Sequence, residues 1–198
     1  MVEALIPAGL LPSRILLTEE KQMTVTLDQA VEKMKASGDW EYEHDSLWSD
    51  QDITDYETET GLMIPDQLAE VLKRYGWNGF GRPDKNALFV ATFEDGTRSV
   101  HESQGLVSSK KTIYQSYRMY IANPNWPDQF TLPMVFFGTA DGGHALTVMD
   151  GRNRSNNKVY LWEQASDPFG TGNNARGLGL VAPTLFEFFY NLQKADEI

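Results

Sequence analysis

The sequence predicts an α+β fold in which helices pack around an antiparallel sheet. Three observations lead there. Amphipathic helical patterns fill much of the N-terminal half, and three apolar strand-like runs (MVFFG, HALTVMD and KVYLWEQ) gather in the C-terminal half. A last helical pattern closes the chain. With 198 residues, 41% of them hydrophobic and 12% aromatic, one domain of above-average size, or one domain with an appendage, can bury a core that holds without cross-links. The absence of cysteine excludes disulfides, thiolate zinc sites, iron–sulfur clusters and cysteine nucleophiles.

The first 25 residues show no period and read as an irregular extension. MVEALIPAGLLPSRILL is a poor secretory signal, because its early charge is Glu3 and because Pro7 and Pro12 interrupt the run. No apolar stretch approaches the roughly 20 residues that span a bilayer. The expected location is cytoplasmic. Thr26 and Gln29 form a capping box ahead of LDQAVEKMKAS, a short helix ending before Gly38. The stretch DWEYEHDSLW has no helical period. Ser49 and Asp52 then open a helix carrying Ile53, Tyr56 and Glu57 toward Gly61.

Pro65 suits the first turn of a helix over DQLAEVLKRYG, where Leu68, Val71, Leu72 and Tyr75 recur at buried-stripe spacing and Gly76 supplies the left-handed cap. Beyond NGFGRPD, ALFVATF reads as a strand and EDGT as a turn. Residues Val107 to Ile121 read as a helix stopping before Pro124. MVFF and VYLW are nearly continuous apolar runs, so their strands should be central and covered by helices on at least one face. GRNRSNN suits a hairpin between the last two strand runs, and GTGNNARGLG reads as a polar loop. Thr184 and Glu187 cap a final helix with Leu185, Phe188, Phe189 and Leu192 on its apolar face. The chain divides into an extension over 1–47, with one short helix and an acidic-aromatic stretch, and an α+β domain over 48–198.

Charge is more informative than any motif. The net charge is −11, yet Ala36 to Leu72 holds eleven acidic residues and no Lys or Arg; the other 17 acids balance 17 bases. The whole excess therefore sits in one segment. Such a segment repels nucleic acid and anionic membrane and attracts a basic protein. Trp40, Tyr42 and Trp48 are interleaved with Asp39, Glu41, Glu43, Asp45, Asp50 and Asp52, which pairs apolar anchors with steering charge. The same aromatic residues also suit a role in pinning the segment to its own core, and the acids a solvated face.

Signals for catalysis are thin. His44, His101 and His144 lie in dissimilar contexts, and His101-Glu102 lacks the second histidine of a zinc helix because Gly105 stands there. Surface or turn histidines are expected. No Gly-x-Ser-x-Gly elbow and no phosphate-binding loop ending in Gly-Lys-Ser/Thr occur. Gly170-Thr171-Gly172-Asn173-Asn174-Ala175 imitates a dinucleotide fingerprint but follows Asp167-Pro168 rather than a strand. The acids lack the order of a calcium loop.

The run SDQDITDYETETGLMIPDQLAEVLKRYGWNGFG resembles the opening of the SUKH superfamily, which includes fungal cell-wall-synthesis regulators and bacterial toxin-immunity proteins. The resemblance rests on a helix with an internal glutamate (Glu57), Gly61, Ile64-Pro65, and a helix ending at Tyr75-Gly76-Trp77-Asn78-Gly79. PMVFFGTADGGHALTVMD is similar to the family's strand, its Asp141-Gly142-Gly143 turn and the next strand. KVYLWEQ and APTLFEFFYNL match the following strand and the closing helix, so the likeness spans about residues 48 to 193. Gly76-Trp77 is inserted after the tyrosine, and 97–130 has no counterpart.

The resemblance implies an α+β, SUKH-like domain with no catalytic residues, no cofactor and no metal. It also implies a protein partner, for many bacterial members a toxin of nuclease or deaminase type. The leading expectation is an immunity protein that covers a basic toxin surface through Asp39, Trp40, Glu41, Tyr42, Glu43, Asp45, Trp48, Asp50 and Asp52. The alternatives are a regulatory scaffold with an endogenous partner, and a hydrolase that uses acidic residues or a divalent metal.

Overall fold

A computed structural model of the chain describes residues 24–37, 41–42, 47–76, 78–79, 87–127, 129–164, 177–194 and 197–198. Among the described residues five α-helices and eight strands follow one another: α1 Leu27–Ser37, β1 Glu41–Tyr42, α2 Asp50–Thr60, α3 Asp66–Arg74, β2 Asn78–Gly79, β3 Leu88–Thr92, β4 Arg98–Val107, α4 Lys110–Tyr120, β5 Met134–Ala140, β6 Ala145–Asp150, β7 Val159–Glu163, β8 Gly179–Ala182 and α5 Leu185–Tyr190.

The helix starts follow the expected chemistry. The Thr26 backbone N–H donates to Gln29 Oε1 at 2.9 Å ahead of α1. At α2, Ser49 Oγ accepts from the Asp52 N–H at 3.1 Å while the Ser49 N–H donates to Asp52 Oδ2 at 2.8 Å, closing a reciprocal capping box. Gly61 ends α2 at φ 71°, a left-handed conformation that favours glycine, and its N–H donates to the Glu57 carbonyl. Thr184 accepts from the Glu187 N–H and opens α5.

All strand pairings are antiparallel, in the order β1-β2-β4-β3-β8-β7-β6-β5, and β4 also pairs with β5. Six strands, β3 to β8, thereby close into a ring. The ten-residue β4 makes closure possible. Its first half pairs with β3 from Arg98 to Glu102, and its second half reaches β5 at Ser103 and Gly105, where the register shifts. Gly138 on β5 is where the two strands crowd: a Cβ there would lie 2.7 Å from the Gly105 carbonyl oxygen and 2.8 Å from that of Leu106.

The core sits between helices and ring. Leu27, Ala30, Val31 and Met34 of α1, Ile53 and Tyr56 of α2, Leu68, Val71 and Leu72 of α3, Ile113 of α4 and Phe188 and Phe189 of α5 join Val135, Phe137, Met149, Val159 and Leu161 in one cluster. Strand alternation turns Met134, Phe136, Leu146, Val148 and Trp162 to the other face. There Tyr120 and Phe130 cover them in a second cluster. The ring centroids of Phe130 and Trp162 lie 4.8 Å apart, edge to face. MVFF is thus covered on both faces, as its unbroken apolar pattern requires.

Two expectations need correction. Residues 98–107 form a strand, and the following helix starts at Lys110 rather than Val107. RSVHESQGLV hides its period because the inward positions include buried His101 and Ser103. Gly179, read as the end of a polar loop, begins β8. The rest of the Gly-rich stretch, through Arg176, lies outside the described residues, apart from Gly177 and Leu178.

Candidate interaction surface

The acidic segment is only partly within the described residues. Asp39, Trp40, Glu43 and Asp45 lie outside them. Glu41 and Tyr42 form β1, whose backbone pairs with Gly79 and Asn78 of β2. Trp48 is 3% exposed. Its ring stacks on Tyr114 at 6.3 Å and meets the edge of Tyr56 at 6.0 Å, with Lys110 Nζ 5.5 Å above its centroid. Its place is in the core.

The acids of α2 are tied to cations brought from three other elements. Asp50 pairs with Lys73 of α3. Asp52 pairs with Lys110 of α4 at 2.6 Å, and Glu59 with Arg118 of α4 at 2.6 Å. Glu57 takes Arg154 of the β6–β7 turn on Oε2 at 2.5 Å, while its Oε1 accepts from the Ile64 N–H at 2.8 Å. That second bond gives the internal glutamate a local purpose, since it fixes the turn into α3. Asp55 accepts from Gln51 and has no cation partner among the described residues. Lys110, with Ser49, holds the Asp52 carboxyl at a pKa of about 2. The exposed pairs among these, Asp50 with Lys73 and Glu59 with Arg118, contribute about 0–1 kcal/mol each and exchange readily. The α2 face is therefore a strip of carboxylates carrying replaceable internal counter-ions.

Elsewhere the structure assembles a polar chain around a buried histidine that spacing did not reveal. His101 is 6% exposed, not the surface or turn histidine expected. Its Nδ1 lies 2.6 Å from Asp141 Oδ2 and its Nε2 lies 2.6 Å from Ser99 Oγ. A carboxylate only accepts, so Nδ1 carries the proton. Ser99, His101 and Asp141 thus have the order of a nucleophile, base and orienting acid. Glu163 changes what that order can do. Its Oε1 lies 3.4 Å from Ser99 Oγ and 3.5 Å from His101 Nε2, setting a negative charge against both the hydroxyl and the imidazole, which disfavours a further negative charge developing there.

The geometry instead explains the turn. Asp141 has φ 51°, and its carboxylate is held by His101 and by the Glu102 N–H at 2.9 Å, which anchors the strained Asp-Gly-Gly turn to β4. No group of three or more potential metal ligands occurs among the described residues.

Three of the surface clefts lie among the described residues, and none of these three is lined by Ser99, His101, Asp141 or Glu163. One of about 440 Å³ lies between α2 and α3 and is rimmed by Asp50, Glu57, Asp66 and Glu70 with Lys73 and Arg154. A second, of about 520 Å³, is walled by Leu132, Met134, Tyr160 and Leu180. Beside it Asp150 accepts from the Arg152 guanidinium at 2.9 Å, which holds that carboxyl below its usual range. The third, of about 610 Å³, lies at the junction of β3 and β8. Trp126 was passed over in the sequence, yet it stands 53% exposed on a turn fixed by its N–H to the Asn123 carbonyl. The flanking Pro124 and Pro127 are the local signal for such a rigid, outward-held aromatic residue.

No helix among the described residues is long and apolar enough to cross a membrane. A comparison with curated proteins gives no match. The comparison with protein families matches residues 48–191, the span that starts at Trp48 and runs through α2, the closed ring and α5. The family is described as SMI1 / KNR4 (SUKH-1), whose members are generally non-catalytic. With its helices, its antiparallel sheet and nearly three quarters of its length accounted for, the chain belongs to the SMI1 / KNR4 family (SUKH-1).

Proposed function

We propose that this protein is a non-catalytic binding protein of the immunity type, which neutralises a cognate toxin of nuclease or deaminase class by covering its basic active surface. The observation that carries the reading is the confinement of the entire net charge to Ala36–Leu72. A basic enzyme that handles nucleic acid presents phosphate-binding cations. An acidic segment is complementary to them and steers encounter. Membership of a family that is generally non-catalytic supports the same reading. Within the acidic segment, the α2 strip offers carboxylates whose internal partners can be exchanged for those of a ligand.

Affinity capture from cells followed by mass spectrometry identifies the partner, and association kinetics then test the mechanism. The expected partner is a basic nuclease or deaminase whose activity the protein abolishes. Its association rate should fall roughly tenfold or more between low and high salt. Neutralising Asp39, Glu41, Glu43 and Asp45 together should slow association without changing the fold. A salt-independent rate, or capture of an endogenous regulatory protein instead, would overturn the reading.

A further inference from the structure

The junction of β3 and β8 is joined at one residue pair, Thr92 with Leu180. Continued in the same register, Val90 would face Ala182, but the strands are not paired there. Farther along β3, Leu88 and Gln193 exchange N–H and C=O bonds, both of 2.9 Å. The direction of Val90 follows from alternation. Ala87 and Phe93 bond toward β4, the former accepting from the Ser103 N–H and the latter donating to the Thr97 carbonyl. Leu88, Val90 and Thr92 therefore aim their backbone groups at the β8 side. Leu88 and Thr92 are taken, and Val90 between them has no ladder partner on that side among the described residues.

The wedge so formed is the cleft of about 610 Å³, lined by both strands and by Phe188, Leu192 and Gln193. It is closed above by Thr92–Leu180 and below by Leu88–Gln193, so a strand cannot run through it. The end of a chain fits such a closed-ended gap where a continuous strand does not. Three charged residues line it: Lys33, Arg98 and Glu197. Lys33 donates to the Tyr190 carbonyl and sits 4.4 Å over the Tyr190 ring. Glu197 accepts from the Lys194 N–H at 2.9 Å. Arg98, exposed at the start of β4, has no ion pair or hydrogen bond from its side chain to any described residue. An incoming ammonium would be repelled by it, whereas a carboxylate would gain a charge-assisted bond.

We propose that this wedge receives the C-terminal residue of a partner polypeptide, with its carboxylate on Arg98, its backbone against Val90 and an apolar last side chain toward Phe188 and Leu192. The mode is main-chain pairing at an open strand edge combined with capture of a terminal carboxylate.

The test is a titration of the full chain, labelled with ¹⁵N, with acetylated hexapeptides ending in Val, Leu or Phe, each as the free acid and as the amide. The free acids should shift the backbone amides of Val90 and Leu180 and bind roughly tenfold or more tightly than the amides. Arg98→Gln should weaken the free acids by a similar factor and leave the amides unchanged, and Arg98→Lys should retain part of the preference. Arg98 is exposed, so the variants keep the fold, which their amide spectra report directly. Equal binding of acids and amides, indifference to Arg98→Gln, shifts confined to other residues, or no shift at millimolar peptide would each overturn the proposal. None of these outcomes bears on binding through the acidic segment, so the two readings fail separately.

Discussion

Opposite sides of the ring are built to different standards. Between β5 and β6 six residue pairs form the ladder, every residue of β6 is buried, and aromatic side chains cover both faces. Between β3 and β8 one pair closes the ring, and Leu180 within it is 41% exposed. The contrast teaches where stability and adaptability reside. The zipped wall carries the burial that the fold depends on, and the seam leaves backbone groups and a guanidinium without a partner among the described residues available to something else. Local openings of a structure come from regions with few buried contacts and few ladder bonds, which describes the seam.

Substitution measures the contrast most directly. Phe137→Ala, in the wall, should cost about 3–5 kcal/mol in chemical denaturation, and Leu180→Ala, at the seam, under about 1 kcal/mol. Equal costs would break the comparison. Gly138→Ala should cost about 1–3 kcal/mol, because the added Cβ meets not only the Thr147 hydroxyl but also two backbone carbonyl oxygens of β4, which cannot swing aside. A neutral outcome would mean that the β4–β5 contact can yield.

Native-state hydrogen exchange sharpens the same contrast. The Thr92 and Leu180 amides should open at a free energy about 2 kcal/mol below that of Val148 in β6. Acid gives the smallest effect and reports on neither side. The folded pKa of Asp52, about 2, lies below its ordinary 3.8. Its contribution is therefore present above the ordinary value and is lost as pH falls through about 2. Asp52→Asn should flatten that acid limb, read as α2 amide shifts, while the wall amides stay unmoved.

Much of this was legible in the chain. Helix starts rest on local chemistry, so Ser49 with Asp52 and Thr184 with Glu187 announced α2 and α5 without tertiary information. MVFFG and HALTVMD were legible because strands covered on both faces need apolar residues at nearly every position. β4 was hidden for the opposite reason. Its inward His101 and Ser103 are polar, and what makes His101 tolerable, Asp141 and Glu163, arrives from 40 and more residues away. Ring closure and the wedge were equally invisible, since they depend on where β4 bends and β8 ends, not on composition. The acidic segment stood out by charge alone. That four α2 carboxylates are already matched by Lys73, Lys110, Arg118 and Arg154 depended on the fold.

Those matched carboxylates alter how any electrostatic association should be measured. A ligand that takes them displaces lysine and arginine side chains of the protein itself, not sodium from the surrounding solution. Fewer small ions are then freed per contact, and a plot of log affinity against log ionic strength will undercount the charges engaged. The evicted side chains remain attached and regain mobility, so part of the thermodynamic signal should surface as loosened α3, α4 and β6–β7 turn.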